Sequence, residues 1–286
     1  VNPRENVDMT SLRRVLEGGV VLRRAETPAD YRACQDAQRK AWGITEDGYV
    51  IPVATMVGAN LHGGLVLGAF EPDGAAVAMS FAFLGRVEGR ICLYSQLTGV
   101  VPGRQSLGLG REMKLLQRDF ARADGLSTIA WAFDPLQSGN ARFNIAKLGA
   151  RVRRYVDDMY GPRTDALNAG VPTDRVIAEW DVRGPFEPAG DPGGAPSLIA
   201  IRDGLPTAIP ASAGEALWLP VPRDAAALRR DRPEAAEAWR KAVRQAMTSA
   251  FDAGYEAAGF LRDPEPRCGY ILRRATRIDG AAGERT

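Results

Sequence analysis

An apolar run that turns through two glycines into a helical pattern constrains this chain more than any other stretch. Ile91-Cys92-Leu93-Tyr94-Ser95-Gln96-Leu97-Thr98 reads as a strand. It leads into Val100-Val101-Pro102-Gly103-Arg104-Gln105-Ser106-Leu107-Gly108-Leu109-Gly110-Arg111, after which Met113, Leu116, Phe120 and Ala123 recur at helical spacing. A helix entered through Gln-x-x-Gly-x-Gly starts with unpaired N–H groups, and its dipole favours an anion there. Glycine lets the backbone come close to a bulky phosphate. Two other phosphate-binding patterns are excluded, because neither Gly-x-Gly-x-x-Gly nor Gly-Lys-Ser/Thr is present: Gly110 is followed by Arg111-Glu112.

A second segment lies one helix and one strand downstream. Leu126 to Phe133 reads as a buried strand, and Asp134-Pro135-Leu136-Gln137-Ser138-Gly139-Asn140 leads to a helix with Ala141, Ile145 and Leu148 on one face and a stop at Gly149. With both segments in order, the chain resembles the GNAT acyltransferase superfamily. Val-x-Pro followed by Gln-x-x-Gly-x-Gly is similar to its acyl-CoA pyrophosphate motif, and Asn140-Ala141 with Lys147-Leu148-Gly149-Ala150 to its next helix. The run Phe133-Asp134-Pro135-Leu136 with Asn140-Ala141 and Asn144 is similar to a poorly characterised bacterial subgroup of the superfamily. The resemblance covers roughly residues 20–183, with weaker similarity in the C-terminal part.

It implies an α/β (α+β) fold in which a mixed central sheet with splayed strands is flanked by helices. The pattern agrees: a strand at 20–25, a helix from Pro28 to about Ala41, a shorter helix from Pro52 to Leu61, a hairpin of Leu65–Phe70 with Ala76–Phe83, the Ile91 strand, and later strands at 151–160 and 175–182. Their order, β-αα-βββ-α-β-α-ββ, is the one the family fold requires. The expected domains are a mobile segment 1–18, an acyltransferase domain 19–183, a Pro/Gly-rich linker 184–197, a smaller C-terminal β-α-β-β unit 198–275 that faintly echoes half of the first, and a tail 276–286.

Composition narrows the functional classes. The net charge of +2, with acids and bases interspersed, suggests neither a nucleic-acid nor a membrane partner, and no apolar run approaches a membrane span. Cys34, Cys92 and Cys268 are an odd, widely spaced set that supports neither a disulfide framework nor a metal site, which fits the cytoplasm. His62, before Gly63-Gly64, reads as a helix C-cap. Trp42, Trp131 and Trp180 read as core.

The resemblance implies direct acyl transfer from acetyl-CoA or another short acyl-CoA, succinyl-CoA included, to a small-molecule amine such as an amino acid. Backbone groups of Val100 and Val101 would pair with the pantetheine arm like an added strand, amides from Gln105, Ser106, Leu107, Gly108, Leu109, Gly110 and Arg111 would hold the pyrophosphate with Arg104 and Arg111 as its cations, and Asn140 would bond the arm. An N–H near Thr98 to Val100 would polarise the thioester carbonyl. Asp134, Ser95 and Gln96 are the candidates for catalysis, Asp134 as a carboxylate that could bind or deprotonate the amine or serve as an Asp-Pro turn. Arg142 is a candidate partner for a substrate carboxylate. No metal is implied, and a homodimer stays open.

Several positions depart from the family pattern. Gln96 stands where histidine is frequent and cannot act as a base; Ile145 replaces the tyrosine that protonates the leaving thiolate, for which Tyr155 and Tyr160 are candidate substitutes that read better as structural residues. Leu107 and Ser106 replace a basic residue and a glycine. These departures keep two rivals open: a coenzyme A-binding sensor or protein-interaction module without turnover, and a protein-modifying acetyltransferase.

Overall fold

Local chemistry sets the first elements. Thr27 caps helix α1 (Pro28–Trp42) by accepting from the N–H of Asp30, whose carboxylate accepts in return from the Thr27 N–H, and Gly43 ends the helix at φ 60°. The same carboxylate takes a bidentate pair from Arg23 at 2.7 and 2.9 Å, and this guanidinium holds the acid well below the usual carboxylate range. The structure, a computed structural model, describes residues 12–105, 108–163, 170–186, 189–211, 214–263 and 267–275. Ser106 and Leu107 of the expected phosphate cradle therefore lie outside the described residues, as do residues 1–11 and the tail.

The chain divides into two compact units, 1–132 with 160–172 and 179–184, and 133–159 with 173–178 and 185–286. The expected boundary near residue 184 is thus replaced by an interleaved one. Within the second unit, strand β7 (Arg151–Val156) pairs with strand β12 (Tyr255–Arg262) through Val152 and Ala257, and Arg153 donates to Glu256 at 2.7 Å, which draws the segment after residue 133 to the C-terminal part.

In the first unit the sheet order is β1 (Arg13–Val15), β2 (Val21–Arg24), β3 (Leu65–Phe70), β4 (Ala76–Val87), β5 (Arg90–Val100) and β6 (Thr128–Phe133, with its last residue in the other unit). Strands β1 to β5 are antiparallel and β6 runs parallel to β5. Residues 12–18, expected to be mobile, carry β1: Leu12 is buried, and Arg14 reaches Glu112 and Asp119 at 2.6 Å each. Helices α1 and α2 (Val53–Leu61) cover one face, and Tyr31, Cys34, Ala37, Met56, Met79 and Phe81 form its core. Helix α3 (Leu109–Ala123) joins β5 to β6 and buries Met113, Leu116, Phe120 and, less expectedly, Lys114 and Gln117. His62 ends α2 as expected, and Trp131 meets Trp180 edge to face in the core.

Strand β8 (Arg175–Asp181) begins in the second unit and ends in the first. The strand order of the second unit is the start of β8, then β7, β12, β13 (Cys268–Arg274) and β11 (Ala216–Pro220), with β9 (Ile199–Arg202) and β10 (Leu205–Ala208) as a separate hairpin. Helix α4 (Ser138–Ala141) continues into a π-helical segment, Arg142–Lys147; α5 (Ala225–Asp231) precedes α6 (Pro233–Asp252), which buries Ala242, Val243, Ala246, Met247 and Ala250. From β2 to β8 the elements follow the expected order β-αα-βββ-α-β-α-ββ.

Candidate active site

Strands β5 and β6 part almost as soon as they meet. They pair at Leu93 with Ile129 and at Tyr94 with Ala130, and no further pair joins them among the described residues. Strand β5 goes on to Val100, held on its other edge by β4. Within that ladder Phe81 faces Leu97 while Ala82 faces Ser95, so Gln96 is an extra, bulged residue, exposed at the point of parting.

The phase of the ladder shows which backbone groups face the opening. The Val101 N–H donates to the Val77 carbonyl at 2.9 Å, so Leu97, Gly99 and Val101 turn their polar groups toward β4. Thr98 and Val100 then turn theirs toward the edge that β6 has left. Of the two valines expected at the slot, Val100 presents backbone groups without a partner among the described residues, whereas the Val101 N–H is engaged and its carbonyl accepts from Arg104 N at 3.0 Å. Gly99 has no room for a side chain: a Cβ would lie 2.3 Å from the Trp42 ring of α1.

The opening leads to the start of α3. Gly108 is its N-cap at φ +68°, a left-handed conformation that favours glycine, and no side chain caps the helix. The Arg111 and Glu112 N–H groups already donate to the Gly108 carbonyl at 2.9 and 3.2 Å, whereas those of Leu109 and Gly110 have no partner inside the helix. Arg104 forms an ion pair with Glu71, and Gln105 is exposed. Arg111 is 62% exposed beside Glu112, the freer of the two arginines.

Beneath the parting point sits a polar cluster that the sequence did not advertise. Lys114 Nζ lies 2.9 Å from Ser95 Oγ and 3.9 Å from the centroid of the Trp131 ring. Ser95 and Trp131 are the first residues of β5 and β6 after the last pair, so the ammonium stands in the crotch of the fork. Gln117 Nε2 donates to Ser95 Oγ at 3.0 Å and to Ser80 Oγ at 2.5 Å. Gln117 Oε1 and Thr98 Oγ1 are buried without a partner. Burial, with no carboxylate to offset it, pushes the Lys114 ammonium down to about 7. The missed signal was Lys114 and Gln117 three residues apart on the same helix as the apolar stripe.

Asp134 belongs to the second unit and is engaged there. Its carboxylate accepts from Arg240 at 3.0 and 3.3 Å and from the Leu136 N–H at 2.9 Å. Asp174 next to it in the network accepts from Tyr155 at 2.5 Å and from Arg244 at 2.8 and 3.0 Å. Burial and Asp174 drive the Tyr155 phenol far above its ordinary value, and burial with the neighbouring Tyr160 does the same to Tyr94 in the first unit. Asn140 is exposed on α4, and Arg142 is exposed two residues on. Ser95, Gln96 and Val100 are thus brought together in one unit, with Asp134 and Asn140 in the other. No cluster of three or more metal-ligating side chains occurs among the described residues, and no helix among them is long and apolar enough to cross a membrane.

No protein-family model matches the chain, and no curated protein is significantly similar to it. Solved structures similar to it include proteins described as acetyltransferases. A protein described as an acetyltransferase of the GNAT family from Desulfovibrio desulfuricans is 19% identical over 57% of this chain and 99% of its own, with a TM-score of 0.43. The yncA acetyltransferase of Salmonella typhimurium, solved with its cofactor acetyl-CoA, is 20% identical over 60% of this chain and 99% of its own, at 0.46. The ribosomal-protein-S18-alanine N-acetyltransferase of Escherichia coli is 18% identical over 59% and 98%, at 0.44.

Proposed function

We propose that this chain is an N-acyltransferase that moves an acetyl or other short acyl group from coenzyme A to the amine of a small molecule. The observation that carries this reading is the fork itself. Thr98 and Val100 turn backbone donors and acceptors to an open strand edge, and that edge runs into an uncapped helix start at Gly108. An amide-rich pantetheine arm matches the strand edge, and a diphosphate matches the helix start. The two features in series fit one long ligand with an anionic centre and an amide tail.

In the reaction, the acceptor nitrogen attacks the thioester carbonyl, the C–N bond forms, the C–S bond breaks and coenzyme A departs as a thiolate. With an ordinary thiol pKa near ~8.5 the leaving group needs no strong acid. An N–H at Thr98 or Val100 would polarise the carbonyl, an interaction commonly worth about 2.7–4 kcal/mol. Holding both reactants in line contributes more, up to about 7–11 kcal/mol. Arg111 and the Leu109 and Gly110 amides at the start of α3 would hold the diphosphate. Asp134 is better suited to holding Arg240 than to taking a proton, since its carboxylate already accepts three hydrogen bonds.

Calorimetry with coenzyme A, followed by thiol release from acetyl-CoA and succinyl-CoA across a panel of small amines, tests the proposal. Micromolar binding that Gly108→Asp weakens by ten-fold or more, together with turnover of at least one amine, is the expected result. Binding without turnover of any amine would favour the sensor, which Gln96 and Ile145 at two expected catalytic positions also favour. No binding at millimolar coenzyme A would end both readings.

A further inference from the structure

The acyl-transfer proposal leaves the proton of the attacking amine without a destination. Gln96 cannot take it, and Asp134 is engaged by Arg240. We propose that Ser95 and Lys114 form a proton relay built into the crotch of the fork, with Lys114 as the internal acceptor and Ser95 as the hydroxyl that connects it to the reacting nitrogen. This inference rests on the acyltransferase reading and assigns that site a base.

Position is the first support. The relay begins at the first β5 residue beyond the last β5–β6 pair, next to the bulged Gln96, and Lys114 bridges the two strands where they separate. Connectivity is the second. Ser95 Oγ lies 2.9 Å from Lys114 Nζ and 3.0 Å from Gln117 Nε2, which leaves the oxygen one lone pair to accept a proton while its own hydrogen passes to a neutral Nζ.

Chemical context is the third support. The cluster is faced from β4 by Ser80 and Ala82, from β5 by Ser95 and Thr98, from β6 by Trp131, and along α3 by Gln117 and Arg118. The acids of α3, Glu112 and Asp119, are held by Arg14, and Glu179 of β8 acts on Cys92. With no carboxylate beside it among the described residues, Lys114 sits near neutrality, at about 7, where a group can both take and return a proton. An arginine there would stay charged; lysine is the cation that can act this way. Thr98 Oγ1 and Gln117 Oε1, buried and unpartnered at the same place, add hydrogen-bonding capacity that the fold alone does not use.

The atoms balance. A neutral amine attacks the thioester carbon; as the C–N bond forms, the nitrogen proton passes to Ser95 Oγ and the Ser95 proton to Lys114 Nζ. The C–S bond breaks, and the same path run backward delivers one proton to the coenzyme A thiolate. Lys114 ends neutral, as it began.

The chain has four lysines, Lys40, Lys114, Lys147 and Lys241, so the ε-carbon spectrum of lysine-labelled protein holds few signals, and the one lost in Lys114→Met identifies Lys114. The relay predicts that this signal titrates near neutrality in the free protein, shifts when coenzyme A binds and shifts again in Ser95→Ala. It also predicts that Lys114→Met and Lys114→Arg keep coenzyme A affinity within about three-fold. Both lower kcat for the best amine of the panel by about 100-fold, and both lose the acidic limb of the kcat profile. Lys114→Arg keeps the buried cation over Trp131, so a purely structural role predicts that Arg restores kcat. Restored kcat, a Lys114 signal titrating above pH 9, or an unchanged kcat profile in a folded Lys114→Met or Ser95→Ala protein would overturn the relay and leave the acyltransferase reading standing. Failure of the wild type to bind coenzyme A or to turn over any amine would instead remove the reading on which the relay depends.

Discussion

Two buried polar clusters, one in each unit, use charge in opposite ways. In the second unit Asp134, Asp174, Arg240, Arg244 and Tyr155 satisfy one another: each carboxylate accepts a two-pronged guanidinium, and the phenol adds a bond at 2.5 Å. In the first unit Lys114 has a serine and an aromatic ring for company, and Gln117 and Thr98 each keep a buried oxygen without a partner. A saturated network resists change and specifies structure; an unsaturated one is held in place by its surroundings and has capacity for a ligand or a proton. The lesson is that the carboxylate which looks most catalytic in sequence is the better satisfied group, and the lysine hidden in a helix is the worse.

The largest effect that separates the clusters is on stability. Asp134→Ala strands Arg240, whose side chain is 11% exposed, and should cost about 3–5 kcal/mol in urea unfolding while leaving coenzyme A affinity unchanged. Lys114→Met should act in the opposite direction. The native ammonium titrates near 7 and the unfolded one near ~10.4, so between these pH values the unfolded chain binds the extra proton and wild-type stability rises with pH. Below pH 7 the cost of the buried charge is fully present. Lys114→Met should therefore exceed wild type in urea unfolding at pH 6.5, with a gap that narrows by an amount on the order of a few kcal/mol toward pH 10.

Smaller effects sharpen the contrast. Gly108→Ala places a Cβ in open space at φ +68°, so backbone strain alone should cost about 1 kcal/mol, read from the thermal midpoint. Thr98→Val removes a buried hydroxyl that has no partner and should change stability by under about 1 kcal/mol. A loss of more than that would show that the Thr98 hydroxyl is satisfied in solution and would make the first cluster as closed as the second.

The fold was legible because its signals are local and periodic. The strand into Gly108 and the helix after it, the capping box at Thr27 and the order of elements to β8 all follow from patterns a few residues long. The unit boundary was not legible, since the Arg153 pairing with Glu256 spans a sequence separation of 103 and leaves no mark near residue 184. The site divides the same way. Val100 and Gly108 could be named from the turn, but the engagement of Val101 by Val77 depends on ladder phase, and the engagement of Asp134 on a helix 106 residues away. Lys114 escaped notice because a single cation beside an apolar stripe reads as a solvated flank until burial is known.

The bulge at Gln96 shifts by one residue which positions of β5 face which side. Tyr94 packs its ring at a tilt against Phe83 toward α1 and α2 while Ser95 faces α3; past the bulge it is Leu97 that faces α1 and α2 and Thr98 that shares the α3 side with Ser80. Deleting this one surplus residue would leave Leu97 opposite Phe81, but drawing it into the ladder as a regular residue would turn the remainder of β5 inside out, exchanging Leu97 with Thr98 and sending the Val100 amide toward β4. A chain of the same sequence whose β5 ran without the bulge would keep its sheet and lose its mouth.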